Sequence, residues 1–171
     1  MISVVRRISI VSALAAVIGL GGCAIFPGLI QPPNFDLAPE RTSELRIVGP
    51  AAGRPLGGAQ VRIWAHVENP NAIGFTLASL TGHLLLEEDH AAAIDLPLGL
   101  PLPAASDTIV PLDVTISFAD IPGIAEHLLA AVTGQQVAYA LNGTISVDAG
   151  AFGQPVFGPS TWLRGELPVV R

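Results

Sequence analysis

The sequence predicts an antiparallel β-sandwich of seven or eight strands with one short helix, and two observations carry that reading. Apolar residues recur at every second position over three long segments, the period of a half-buried strand. Glycine and proline then punctuate the gaps, at Gly49-Pro50, Asn69-Pro70-Asn71, Pro101–Pro103 and Gly158-Pro159.

The N-terminus comes first and is not part of that domain. Arg6 and Arg7 precede an apolar run from Ile8 to Leu20. About 13 residues are too few to span a hydrocarbon core that needs roughly 20, so residues 1–22 read as a signal peptide. The run ends in Leu20-Gly21-Gly22-Cys23, which resembles the bacterial lipobox. Small residues let an extended backbone enter the peptidase, Leu20 fills its apolar pocket, and Cys23 is expected to carry diacylglycerol on sulfur. A chain with one cysteine makes no internal disulfide, so lipidation also accounts for the odd thiol. Each buried CH₂ contributes about 0.8 kcal/mol, and two or three acyl chains make the anchor effectively permanent. Ala24 stands where enteric lipoproteins retained in the inner membrane carry Asp, which favours an outer-membrane address on the periplasmic face.

Residues 23–42 read as the lipidated cysteine and a tether. Pro27, Pro32 and Pro33 remove backbone donors and fix φ, so the stretch to about Pro39 is expected to be extended and semi-rigid. Residues 43–171 form the expected domain. Val61, Ile63, Ala65 and Val67 alternate with Arg62, Trp64, His66 and Glu68. A second alternation runs through Val110, Leu112, Val114, Ile116 and Phe118, and a third through Val137, Tyr139, Leu141, Gly143, Ile145 and Val147. Shorter candidates are Glu44–Val48, Phe75–Leu80, His83–Glu87, Ala92–Leu96 and Trp162–Val169. The helix is expected over Asp120–Val132: Asp120 caps it, Pro122 suits its first turn, and Ile124, Leu128 and Leu129 form an apolar stripe before Gly134.

One stretch combines a strand with a distinctive end: Val61 to Glu68, then Asn69-Pro70-Asn71 and Phe75-Thr76-Leu77. Asn69 can fold its amide back on the backbone while Pro70 fixes φ, so the triplet is read as a structural turn. The set resembles the late embryogenesis abundant type 2 family, also called the water stress and hypersensitive response (WHy) domain. The matching pieces are Asn69-Pro70-Asn71, Leu80–Leu86, Thr108–Phe118, Asp120–Val132 and Tyr139–Gly143, so the resemblance covers roughly Glu44 to Val169. It implies a fibronectin/immunoglobulin-like sandwich of about seven strands and a non-enzymatic role in tolerance of desiccation or related stress, through shielding of other proteins. The lipid anchor departs from the family pattern and puts any protection at an envelope surface.

Composition narrows the function classes. Half of the residues are hydrophobic and 13% are charged, too apolar for a disordered chain. Every cation is Arg. Beyond Cys23 six arginines face 14 acids, a balance near −8. That excludes the basic stripe that a nucleic-acid binder needs, and disfavours charge-driven docking on anionic lipid.

Chemistry is scarce. His66, His83, His90 and His127 fall in four different elements at no metal-ligand spacing. Glu87-Glu88-Asp89-His90 reads as a solvated hairpin tip, with a weak calcium site as its alternative. No serine sits in a Gly-x-Ser-x-Gly setting, no glycine-rich phosphate loop is present, and Asn142-Gly143-Thr144 reads as a chance sequon. The expectation is therefore a monomeric, non-enzymatic protein without metal or cofactor. Its partners are the membrane, through Cys23, and client or envelope proteins. The competing expectation is a binding or assembly module that holds a protein through a sheet edge or a sandwich face.

Overall fold

The computed structural model describes residues 30–119 and 136–170, so Cys23, its signal peptide and the expected helix Asp120–Val132 lie outside the described residues. What it describes is all-β: β1 (Asn34–Leu37), β2 (Glu44–Val48), β3 (Gly58–Glu68), β4 (Phe75–Leu86), β5 (Asp89–Leu102), β6 (Asp107–Ser117), β7 (Gln136–Asp148) and β8 (Val156–Val170). Among the described residues the single helical element is a 3-10 turn, Gly150–Phe152.

The strands form one open mixed sheet in the order β6-β3-β2-β8-β7-β4-β5, with β1 beside β3. Along one edge of β3, β6 pairs over the full length, from Gly58 opposite Ser117 to Glu68 opposite Asp107. Its other edge is shared end to end. β2 takes Gly58–Arg62 and β1 takes Ala65–Glu68. Between them the ladder is kept by Ala38, whose N–H donates to the Trp64 carbonyl at 3.0 Å, and by Ser43, whose hydroxyl accepts from the Trp64 N–H at 3.0 Å.

Two features depart from the expected antiparallel sandwich. Residues 34–37, read above as tether, form a strand and belong to the sheet. Among the described residues all pairs are antiparallel but one: β8 follows β7 from Ser146 to Gln136, then its last residues, Val169 and Val170, run parallel to Leu45 and Arg46 of β2. That parallel pair joins what would be two sheets into one.

The inward faces follow from the alternation. Ala59, Val61, Ile63, Ala65 and Val67 of β3 are almost fully buried, as are Leu112, Val114 and Ile116 of β6. They meet Leu77, Leu80 and Leu84 of β4, Leu141, Ile145 and Val147 of β7, and Leu163 and Leu167 of β8 in one continuous core. On β7 the inward series passes through Gly143, which lies opposite Gly82 of β4. A Cβ on either glycine would overlap the carbonyl oxygen of a facing residue, Asn142 for Gly82 and Thr81 for Gly143, so only glycine lets these backbones approach so closely.

β4 and β5 meet in a two-residue hairpin. Glu87 (φ 50°) and Glu88 (φ 71°) both adopt left-handed conformations, the requirement of a turn whose twist matches the strands. Glutamate is an unusual choice there. Glu87 has a compensating bond, since its side chain accepts from the Ala138 N–H at 2.7 Å while its own N–H donates to the Ala138 carbonyl at 2.9 Å.

Candidate functional site

The Asn-Pro-Asn stretch turns the chain between β3 and β4, and it also joins three separate segments. Asn69 is fully buried. Its Nδ2 donates to the carbonyls of Ile73 (2.9 Å), Pro103 (2.9 Å) and Leu102 (3.3 Å). Its Oδ1 accepts from the backbone N–H of Asn71 at 2.9 Å and from Asn71 Nδ2 at 3.0 Å. The Asn69 N–H donates to the Ser106 carbonyl, so the β3–β4 turn and the β5–β6 loop are held as one piece.

Asn71 extends that network to the incoming chain. Its Oδ1 accepts from the Gln31 N–H at 2.7 Å, and its Nδ2 donates to the Gln31 carbonyl at 2.9 Å. Both backbone groups of one residue are thus bound by one side-chain amide. This fixes the point where the segment from Cys23 enters the domain. Pro70 presets φ between the two amides.

The structure brings other residues together that the sequence keeps apart. His83 on β4 and His90 on β5 form a hydrogen bond, Nε2 of His90 lying 2.7 Å from Nδ1 of His83, with ring centroids 4.6 Å apart. Among the described residues no third His, Cys, Asp or Glu joins them in a metal-binding group. His66 lies 2.9 Å from Asp107 on the outer face, and His127 is outside the described residues. The carboxylates of Glu87–Asp89 sit at the hairpin tip.

Open depressions lie on the surface of the described residues. One, of about 400 Å³, runs over the outer face of β2, β3 and β6 between Glu44, Arg46, Gln60, Arg62, Asp113 and Thr115. Its charges are turned on one another. Arg62 clasps Asp113 through Nε (2.6 Å) and Nη2 (3.1 Å), which raises the guanidinium pKa through the hydrogen bond and then the charge of Asp113. Arg46 reaches Glu44 at 3.4 Å. Another, of about 160 Å³, separates β1 from β8 between Phe35, Leu37, Trp162 and Arg164. The rings of Phe35 and Trp162 meet at a tilt of 59° with centroids 5.7 Å apart, and Trp162 Nε1 donates to the Gly143 carbonyl at 2.8 Å.

Ser43 and Ser106 are bonded to backbone groups. Tyr139 is buried, its hydroxyl has no partner among the described residues, and burial pushes its pKa up to about 12. The most built arrangement of polar side chains is therefore the Asn69–Asn71 junction, whose bonds are all internal.

Comparisons with known proteins agree with this architecture. The family model for late embryogenesis abundant proteins, LEA_2, matches residues 65–160, more than half of the chain. No curated protein matches it by sequence. Among solved structures, the chain is similar to AT1g01470 from Arabidopsis thaliana with a TM-score of 0.57 and 14% identity, covering 83% of this chain and 85% of that one. It is also similar to the solution structure of the late embryogenesis abundant (LEA) candidate At2g46140.1, with a TM-score of 0.51, 18% identity, and coverage of 81% and 73%. At such identities the likeness speaks for the fold alone, whereas the family match covers the end of β3, the Asn-Pro-Asn junction and the glycine pair; the chain belongs to the late embryogenesis abundant LEA_2 family.

Proposed function

We propose that this protein is a non-enzymatic envelope lipoprotein that shields proteins or the membrane surface during desiccation or related stress. Membership of the LEA_2 family carries the reading. The lipobox at Cys23 adds the location, with the periplasmic face of the outer membrane favoured by Ala24. The inward faces of β3 and β6 share one core with those of β4, β7 and β8, which supports a fibronectin-like layering within the open sheet. Polar side chains such as Arg62, Asp113, Asn69 and Asn71 are paired with one another or with backbone, which suits passive shielding rather than a converging site.

The competing reading, capture of a partner by strand addition, meets an obstacle at β5. Among the described residues β5 pairs only with β4, but Pro97 and Pro101 leave that edge without two of its N–H donors. Prolines at an edge are a usual defence against added strands.

The experiment that tests the reading follows Cys23. The wild-type N-terminal peptide is expected to begin at an acylated Cys23 and to fractionate with the envelope membranes. Cys23→Ala is expected to be unprocessed or soluble and to lower survival of drying. A free Cys23 thiol in the wild type, or unchanged membrane retention of the variant, overturns it.

A further inference from the structure

We infer that one end of the domain rests on the lipid surface itself, with Phe152 and Val156 entering the headgroup region. The inference depends on the lipid anchor proposed above. Strand register assembles that end: Asn34 lies opposite Glu68, Thr76 opposite Asp148, Phe75 opposite Leu102 and Ser146 opposite Val156. The start of β1, the Asn-Pro-Asn turn, the β5–β6 loop and the β7–β8 loop therefore lie together. Gln31 enters there, clamped by Asn71.

The tether makes this the membrane-proximal end. About eight residues separate Cys23 from Gln31, and even fully extended they reach no more than about 30 Å. The far end of β3 lies about 36 Å further, at roughly 3.3 Å per residue over its length.

The loops of the two ends differ in charge. The loops 69–74 (Asn-Pro-Asn-Ala-Ile-Gly), 103–106 (Pro-Ala-Ala-Ser) and 149–155 (Ala-Gly-Ala-Phe-Gly-Gln-Pro) contain no charged side chain, nor does the chain from Cys23 to Asn34. The acids that border them are engaged: Glu68 by Asn34, Asp107 by His66 and Asp148 by the Gly150 N–H. The opposite end carries Glu87, Glu88 and Asp89 at the hairpin and Arg54 in the β2–β3 loop. Anionic headgroups repel the acidic hairpin, whereas the loops beside Gln31 present no charge of their own.

Apolar groups project where this arrangement needs them. Phe152 is 49% exposed and Val156 63% exposed, both in or beside the β7–β8 loop. Leu56, the exposed leucine of the opposite end, stands close to Arg54 in sequence. The projecting loop is also internally bonded. The Ala149 N–H donates to the Gly153 carbonyl at 2.9 Å, the Phe152 N–H to the Ala149 carbonyl, the Gly153 N–H to the Gly150 carbonyl, and the Gly150 N–H to Asp148 Oδ1. The Ala105 N–H is likewise taken by the Asn71 carbonyl. Backbone groups already paired lose little when a loop leaves water for the interface.

The test uses the full lipoprotein, added from detergent to preformed phosphatidylethanolamine/phosphatidylglycerol vesicles. A cysteine introduced by Phe152→Cys, or at the opposite end by Glu88→Cys, carries an NBD label whose reduction by external dithionite reports exposure to water. The mass of the N-terminal peptide from each sample reports acylation of Cys23. The expected result is an acylated Cys23 with reduction several-fold slower at position 152 than at position 88, and a return to the position-88 rate when Val156→Asp is added. Equal rates on an acylated protein overturn the docking and leave the anchor standing. An unacylated Cys23 overturns both.

Discussion

Asn69→Ala is expected to lower stability by about 2–5 kcal/mol, seen as a fall in the denaturant midpoint at an unchanged slope for the chain from Ala24 onward. The Asn69 side chain makes five hydrogen bonds at a fully buried position. Removing it strands the buried N–H of Asn71 and takes a partner from the carbonyls of Ile73, Leu102 and Pro103, and each buried group left unpaired costs about 1–3 kcal/mol. Against a total of about 5–15 kcal/mol that is a large fraction. Asn69→Asp keeps the shape and both acceptor bonds but loses the three donor bonds, and it also places a carboxylate against three carbonyl oxygens. It is expected to be at least as unstable as the alanine variant. Asn71→Ala loses mainly the clamp on Gln31, so its effect on the midpoint is smaller. If Asn69→Ala moves the midpoint by less than about 0.5 kcal/mol, within the range of ordinary surface substitutions, the junction does not hold the three segments together.

Ile63→Ala is the second large effect, about 2–5 kcal/mol, because Ile63 is fully buried in the middle of β3 and the cavity cannot collapse between β3 and the facing layer. Its neighbour provides the control. Arg62 points to the outer face, where it holds Asp113 in water, and exposed ion pairs of this kind contribute little. Arg62→Ala is expected to leave the midpoint nearly where it was. The same denaturation series checks both, and a larger loss from Arg62→Ala than from Ile63→Ala would invert the faces of β3 described here.

β3, β6 and β7 are legible in the sequence because each has one face in the core and one in water, so the apolar residues recur at every second position. β5 is legible only over Ala92–Leu96, since Pro97, Gly99 and Pro101 read as a break. At an edge, ladder bonds are needed on one side of the strand only, and prolines are tolerated there. β4 reads as two strands because Gly82 interrupts it, yet Gly82 is the point of closest approach to Gly143. β1 carries four residues behind two prolines, and what makes it a strand is the open half-edge of β3, which no local pattern reveals. The parallel contact of β8 with β2 joins segments far apart in sequence and has no local signal either.

The site divides in the same way. The turn at Asn69-Pro70-Asn71 follows from residue type. The carbonyls of Leu102 and Pro103, 33 and 34 positions away, and the clamp on Gln31, 40 positions away, come only from the way the strands assemble. His83 and His90 escape notice because a register shift between Leu84 and Leu85 sets His90 opposite Leu85 and so onto the face of His83.

The proposed protection comes from the folded surface as a whole. It is tested most directly by heat- or drying-induced aggregation of a reporter enzyme in the presence of the protein. The comparison set is the parent, Asn69→Ala, Ile63→Ala, Arg62→Ala, His83→Ala, His90→Ala and Glu88→Ala. The expected result is that suppression of aggregation follows the fraction of each protein that is folded, so the surface variants match the parent and the two core variants lose protection as they unfold. A sharp loss in a fully folded His83, His90 or Glu88 variant, or no protection by the parent at any ratio, would contradict it.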